Sequence, residues 1–127
     1  KKTVIITSDR IKIVYMLYEG ALNHLKIARR KIENGDIVSK GQHFSKATLI
    51  ISELSNVLDM EKGGEISKNL RSLYEYVLQR LLYANLNNDL TAIEDSERVI
   101  EILKSGWKEM MEGRMKQKQP DRVSVGA

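Results

Sequence analysis

Residues 8–33 read SDRIKIVYMLYEGALNHLKIARRKIE, and their apolar side chains recur every three or four positions. This spacing keeps one side chain per turn on the same face of an α-helix, because a turn takes about 3.6 residues. Ser8 or Asp9 can cap the start of the helix, and Asn34-Gly35 supplies a left-handed stop after it. The stretch therefore predicts a long amphipathic first helix. Its apolar row is Val14, Tyr18, Ala21, Leu25, Ala28 and Ile32.

Three further segments have the same spacing, and no proline interrupts any of them. They begin near Asp36, near Gly64 and after Asn88-Asp89. Short connections favour antiparallel neighbours, and mixed steps of three and four residues are typical of helices packed at shallow angles. The sequence therefore predicts an all-α protein, an antiparallel up-down four-helix bundle over residues 8–112. The predicted core positions of the later helices are Phe44, Ala47, Ile51, Leu54 and Leu58, then Ile66, Leu70, Leu73, Val77, Leu81 and Ala84, then Ile93, Ile100, Leu103, Trp107 and Met110.

Two short segments lie outside the predicted bundle. Residues 1–7 carry the apolar triplet Val4, Ile5 and Ile6, which either staples the start of the first helix or forms an arm that lies in a groove of the bundle. Residues 113–127 are polar and aperiodic, and they predict a disordered tail. This tail has four basic residues and one acidic residue, so it holds most of the net charge of +4.

The composition argues against several classes of protein. The 127 residues include no cysteine, which excludes disulfides and thiolate metal sites. No apolar run approaches the roughly 20 residues that span a bilayer. Di-iron bundles need Glu-x-x-His pairs, and neither His24 nor His43 has a glutamate three residues before it. Because no nucleophile elbow or phosphate-binding loop is evident either, we expect no enzyme activity, no cofactor and no metal.

Some helices carry more apolar side chains than one core-facing row needs. Each helix of a four-helix bundle faces two neighbours, so part of this width belongs to the core. The remainder indicates apolar grooves that reach the surface and suit an amphipathic helix or an extended segment of a partner. The surplus residues include Ile13, Leu17, Ile50, Val57, Tyr74, Tyr76, Leu78, Leu82 and Tyr83.

Several blocks of the sequence resemble one known family. Residues 14–21, VYMLYEGA, are similar to the Met-Leu-Tyr-Asp/Glu-Gly segment of the FliS family of flagellin-specific secretion chaperones. Residues 51–54, ISEL, and 58–66, LDMEKGGEI, resemble the second loop of that family. Further matches are Asn69-Leu70, Leu73-Tyr74-x-Tyr76, Arg80-Leu81, Ala84-Asn85 and Trp107. The blocks occur in family order, although the family's usual proline early in helix one is absent and the basic tail has no counterpart.

The resemblance implies an export chaperone of the bacterial cytoplasm. Members of the family are helical bundles around which the C-terminal segment of flagellin wraps, so that flagellin does not polymerise inside the cell. The complex is then presented to the export gate of the flagellar type III secretion apparatus, and the chaperone itself hydrolyses no nucleotide. The N-terminal segment of family members can occupy part of the client groove, which supports the arm interpretation of residues 1–7.

Polar contacts with the partner are predicted for four positions that match the family. Asn69, Tyr76 and Arg80 are spaced by seven and four residues, so they lie near one face of helix three. Asn85 is the fourth. An inter-helix ion pair is the alternative role of Arg80, and a helix C-cap is the alternative role of Asn85.

The predicted partner-binding set also has an apolar part. Leu17, Leu70 and Leu73 are placed in apolar pockets, although the core is the favoured place for Leu70 and Leu73. The full predicted set is Val4, Ile5, Ile6, Ile13, Leu17, Asn69, Leu70, Leu73, Tyr76, Arg80 and Asn85.

Two other functions are compatible with the sequence. A nucleic-acid accessory protein would use the basic tail, and its binding would weaken steeply with salt through counterion release. A helical assembly scaffold would self-associate and would not bind a disordered peptide. The chaperone interpretation instead predicts apolar binding of flagellin, no nucleic acid, no membrane insertion and a monomer.

Overall fold

Four α-helices make up the protein in a computed structural model, which describes the backbone of residues 2–126 and the side chains of residues 10–113. The helices are α1 (Lys2–Glu33), α2 (Ile37–Asn56), α3 (Gly64–Asn87) and α4 (Leu90–Gly126). No strand occurs in the described backbone. The predicted all-α four-helix bundle is therefore confirmed.

The predicted signals end and restart the helices at two of the three connections. Gly35 has a φ of 76°, in the left-handed region, and the Asp36 carboxylate after it accepts hydrogen bonds from the amide and hydroxyl of Ser39. Asn88 is also left-handed, with a φ of 51°, and Asp89 accepts the amide of the residue three positions ahead. A left-handed residue ends one helix, and a carboxylate accepts hydrogen bonds from the free amides in the first turn of the helix that follows.

The connection between α2 and α3 is held closed by Asp59. Its carboxylate accepts the amides of Glu61 at 3.1 Å and Lys62 at 2.9 Å. Its carbonyl accepts the amide of Gly63 at 2.8 Å and the hydroxyl of Ser67 at 2.9 Å. A Cβ atom at Gly63 would lie 1.7 Å from the Ser67 hydroxyl oxygen, so only glycine fits there without a shift.

The helices form a square in cross-section. α1 packs against α2 and α4, and α3 packs against the same two helices. α1 and α3 therefore occupy opposite corners, as expected for an up-down bundle with short connections. The buried core residues are Tyr18, Ala21, Leu22, Leu25, Ala28, Phe44, Ala47, Ile51, Leu54, Tyr74, Val77, Leu81, Ala84, Ala92, Ile93 and Ile100.

Three predicted core positions are wrong. Ile66 is 72% exposed, and Leu73 and Met110 are also exposed. On α3, Tyr74 faces the core instead of its neighbour Leu73. Because each residue advances a helix by about 100°, Leu73 is turned away from the core when Tyr74 faces it. Met110 lies one turn past Trp107, which among the described side chains of α4 is the last that packs against the core.

The first and last helices, α1 and α4, extend beyond their predicted bounds. α1 begins at Lys2, within the segment predicted as an arm, and α4 continues to Gly126, within the segment predicted as a tail. No proline or glycine separates the arm from the first helix, and in the tail Gly113 is followed by the good helix formers RMKQKQ, residues 114–119. The side chains of Val4, Ile5 and Ile6 lie outside the described residues, as do those of the tail from residue 114. Their roles stay predictions.

Three aromatic side chains form a hydrogen-bonded group inside the core. The hydroxyl oxygens of Tyr18 and Tyr74 are 2.6 Å apart, and the indole N–H of Trp107 donates to the Tyr18 hydroxyl at 2.9 Å. Burial raises the pKa of Tyr18, and burial together with the bond to Tyr18 raises the pKa of Tyr74. Both hydroxyls are therefore neutral, and they pair with each other in a core that would otherwise leave them unsatisfied.

Candidate partner-binding site

A groove with a volume of about 550 Å³ runs along the surface between α2 and α3. Phe44 and Leu81 are buried and form its floor. Leu49 on one wall is 68% exposed and Leu82 on the other is 62% exposed. The lining of this α2–α3 groove consists of Phe44, Ser45, Thr48, Leu49, Ser52, Leu78, Leu81, Leu82 and Asn85.

An exposed apolar strip continues the groove towards the end of the bundle. Leu78, Leu82 and Leu86 are four residues apart, so they form one row along α3, and Leu86 is 73% exposed. On α2, Val38 is exposed eleven residues before Leu49, which places the two near the same face of that helix. The apolar surface is therefore longer than the groove itself.

The polar groups of the groove are uncharged. Ser45, Thr48 and Ser52 contribute hydroxyls on the α2 side, and Asn85 contributes an amide on the α3 side. None of the lining residues is acidic or basic. Because binding to a phosphate backbone depends on Lys and Arg, this lining suits an apolar polypeptide and not a nucleic acid.

A buried lysine ties the two walls together at one end of the groove. The Lys40 ammonium donates a hydrogen bond to the main-chain carbonyl of Asn85 and lies 5.7 Å from the centre of the Phe44 ring. Lys40 is buried, and a buried ammonium is tolerated only when it is paired. At the other end, α2 and α3 are joined by the turn that Asp59 closes.

The structure separates the polar residues of the predicted site into two groups. Asn85 lines the α2–α3 groove. Asn69, Tyr76 and Arg80 lie near one face of α3 by their spacing. Asn69 and Tyr76 are exposed, whereas Arg80 pairs with Asp95 of α4 at 3.1 Å. The predicted polar set therefore does not converge on one groove.

The alternative roles of two of these residues can be compared with their contacts. The inter-helix ion pair considered for Arg80 is present, and its guanidinium also lies 5.2 Å from the centre of the Tyr83 ring. The helix C-cap considered for Asn85 is wrong, because α3 continues to Asn87 and is capped by Asn88. Asn85 is instead an interior residue of α3 whose side chain reaches the groove.

The apolar residues of the predicted site lie outside the groove. Leu17 and Leu70 are half-buried and pack against the core, in line with the core role that was favoured for Leu70. Ile13 on α1 and Leu73 on α3 are exposed. Leu73 is on the same side of α3 as Arg80, since it lies seven residues before it.

Most of the groove lining was not predicted as a site. Leu78 and Leu82 belong to the apolar surplus of helix three, but the sequence does not show which neighbouring helix they face. On α2, Ser45, Thr48 and Ser52 are hydroxyl residues, which a search for apolar periodicity does not detect. Leu49 is the one strong signal on that wall, because it lies away from the core row of its helix.

The groove offers contact surface, and its lining contains no His, Cys, Asp or Glu. Across the side chains that the structure describes, no group of three or more His, Cys, Asp or Glu residues could hold a metal ion. Over the same residues, no helix combines the length and apolarity needed to cross a membrane. What the groove supplies is apolar area flanked by neutral hydrogen-bonding groups.

The fold and the groove define a class of protein: a helical bundle with a surface suited to a polypeptide segment. A family model described as "Flagellar protein FliS" matches residues 1–114. The chain therefore belongs to the FliS family, and the resemblance seen in its sequence blocks is confirmed.

Proteins named as flagellar secretion chaperones are similar to this chain over most of its length. The "Flagellar secretion chaperone FliS" of Salmonella typhimurium is 42% identical over 110 residues, which cover 86% of this chain and 82% of the relative. "Flagellar secretion chaperone FliSB" of Pseudomonas aeruginosa is 38% identical over 96 residues, 76% of each chain. The Bacillus subtilis relative is 30% identical over 105 residues, 83% of this chain and 77% of its own. Membership of a chaperone family indicates a non-enzymatic role.

Proposed function

We propose that this protein is an export chaperone that binds the C-terminal segment of flagellin and delivers it to the export gate of the flagellar type III secretion apparatus from the bacterial cytoplasm. The observation that carries the proposal is the α2–α3 groove, an uncharged apolar surface on a member of a family of flagellar secretion chaperones. No catalytic step, cofactor or nucleic acid is part of this role.

A long apolar surface is what a disordered client requires. Ordering one residue of a flexible chain costs about 1–2 kcal/mol, whereas burial of apolar surface returns about 25 cal/mol per Å². A short pocket cannot offset that cost for a segment of many residues. The exposed strip that continues past the groove to Leu86 and Val38 supports a client of several helical turns.

The shape of the groove favours a client segment that is helical. Leu78, Leu82 and Leu86 form a straight row at intervals of four residues, which complements the apolar row of an amphipathic helix laid alongside. The Ser45 hydroxyl and the Asn85 amide can bond to polar groups at its edges. The apolar face that the groove covers is then unavailable for contacts between flagellin subunits, so polymerisation is blocked.

Calorimetric titration with a synthetic flagellin C-terminal peptide tests the proposal. We expect a 1:1 complex with a negative heat-capacity change, because apolar surface is buried. Leu82→Glu places a charge in the groove and should weaken binding at least tenfold. Ile102→Glu is the matched control, since Ile102 on α4 is 66% exposed, against 62% for Leu82, and lies outside the groove. Absence of binding at roughly 100 μM peptide, or an equal loss in both variants, would contradict the proposal.

Salt dependence and association state separate the two rival functions. Apolar binding changes little with salt, whereas binding of nucleic acid through the basic tail weakens steeply as salt rises. Sedimentation at rising protein concentration is expected to show a monomer. A concentration-dependent dimer that ignores the peptide would favour the assembly scaffold.

The role of the N-terminal triplet is tested by removing residues 1–7. If Val4, Ile5 and Ile6 compete with the client for its groove, the trimmed protein binds the peptide more tightly, because fewer molecules are blocked. If they only staple the start of α1, affinity stays the same or falls and thermal stability drops modestly. Weaker binding by a trimmed protein that still melts cooperatively would rule out competition.

A further inference from the structure

The only two histidines of the chain meet at the seam between α1 and α2. His24 of α1 and His43 of α2 are 19 positions apart in sequence, yet their Nδ1 atoms are 3.2 Å apart. Their ring centres are separated by 5.5 Å with an angle of 33° between the ring planes. Both side chains are half-buried, so the rings are held by the helices and still reach solvent.

The separation of the two nitrogen atoms matches that of two ligands on one metal ion. Zinc–imidazole bonds are about 2.0–2.1 Å long, and a tetrahedral angle between two such bonds puts the nitrogens about 3.4 Å apart. The observed 3.2 Å is within a small ring rotation of that value. In the metal-free protein this contact is a hydrogen bond, and once both Nδ1 atoms are free of protons the two imidazoles are close enough to share an ion.

We propose that His24 and His43 form a two-histidine site for a divalent transition metal, of the class of Zn²⁺, Ni²⁺ and Cu²⁺, that cross-links α1 to α2. Imidazole is a preferred ligand of these ions. No third His, Cys, Asp or Glu of the described residues joins the pair, so water completes the coordination.

The nitrogen ligands of the pair, and not the charge nearby, determine which ions can bind. Lys46, one turn after His43 on α2, places a positive charge close enough to influence His24. A hard ion such as Mg²⁺ or Ca²⁺ relies on carboxylate and carbonyl oxygens, so it gains nothing here. A borderline ion with partly covalent bonds to nitrogen can tolerate the lysine. The site therefore discriminates by ligand type.

Metal binding would stabilise the contact between α1 and α2. A ligand that binds only the folded state raises stability with its concentration above Kd. We expect the melting temperature of the full chain to rise with Zn²⁺ or Ni²⁺ and to stay unchanged with Mg²⁺. In ¹⁵N NMR spectra of the histidine side chains, the Nδ1 resonances of both rings should shift on addition of Zn²⁺.

Three variants test the assignment to this pair. His24→Gln and His43→Gln each remove one ligand, and each should weaken Zn²⁺ binding at least tenfold while the metal-free protein keeps its helical circular dichroism. Lys46→Gln removes the nearby positive charge and should tighten binding several-fold. Zn²⁺ stabilisation that survives in both histidine variants would place the metal elsewhere and overturn the proposal. No rise in melting temperature with either Zn²⁺ or Ni²⁺ would also overturn it. Neither result depends on the flagellin peptide, so the proposed function is tested separately.

Discussion

The hydroxyl oxygens of Tyr18 and Tyr74 meet at 2.6 Å across the diagonal of the bundle. These residues belong to α1 and α3, the opposite corners of the square, whose backbones are not direct neighbours. Because a hydrogen bond is directional and short, the pair fixes the height of α1 relative to α3 more strictly than apolar packing alone would. Trp107 adds α4 to this constraint through its bond to Tyr18.

Removal of the two hydroxyls should have unequal effects. Tyr18→Phe leaves both the Tyr74 hydroxyl and the Trp107 N–H without their partner, and it should cost about 2 kcal/mol of unfolding free energy. Tyr74→Phe leaves Tyr18 bonded to Trp107 and should cost about 1 kcal/mol. Urea denaturation followed by circular dichroism measures both. Equal losses, or the reverse order, would mean that the indole bond contributes nothing.

Stability should fall as the pH drops below neutral, because of the histidine pair. Partial burial, the charge of His43 and the charge of Lys46 lower the pKa of His24 in the folded protein. The unfolded chain therefore takes up the proton first, near pH 6.5. This contribution to stability is complete above that pH and is lost as the pH falls from 6.5 to the lower pKa of the folded state. Thermal melts between pH 8 and pH 5 measure the decline, and a profile in His24→Gln as steep as in the parent protein would contradict it.

Two glycine-to-alanine substitutions should act in opposite directions. Gly41 lies inside α2, and a Cβ there would meet nothing within 4 Å, so Gly41→Ala should stabilise the protein by about 0.5–1 kcal/mol. Gly63→Ala would drive its methyl group into Ser67 and the carbonyl of Asp59, and it should destabilise the protein by about 1–3 kcal/mol. Melting temperatures of both variants provide the comparison. A stable Gly63→Ala protein would show that the turn rearranges freely.

The ion pair of Arg80 and Asp95 should contribute to stability and not to client binding. A double-mutant cycle measures the first contribution, and peptide affinity measures the second. We expect a coupling of about 1 kcal/mol in unfolding free energy, because both side chains are mostly buried and joined at 3.1 Å. Arg80→Met should leave the affinity for the flagellin peptide within about twofold, as Arg80 lies outside the groove. If the variant instead keeps its stability and loses peptide affinity, Arg80 belongs to the binding surface.

The core of α1 could be predicted because one periodic signal determines it. Tyr18, Ala21, Leu25 and Ala28 were placed on one row by spacing alone, and all four have no exposed surface. Periodicity succeeds here because a helix beside two neighbours must bury a fixed stripe of its surface. The same reasoning failed at Ile66, where α3 is rotated so that Tyr74 faces inward.

The candidate site depended on information that a single helix does not contain. The pairing of Leu49 with Leu82 across the groove follows from the relative rotation of α2 and α3, and the meeting of His24 with His43 follows from the relative height of α1 and α2. Each helix sequence permits several rotations and heights. Long-range contacts select among them. The sequence therefore shows which residues each helix carries, but not which residues of another helix they contact.

The α2–α3 groove is held at both ends, and this affects how tightly a client binds. Because Lys40 ties the walls at one end and the Asp59 turn joins them at the other, the groove is preorganised and its backbone loses little freedom when a client arrives. The ordering penalty then falls almost entirely on the client. Substitutions that raise the helix propensity of the flagellin segment should therefore tighten the complex, whereas further rigidification of the groove walls should not.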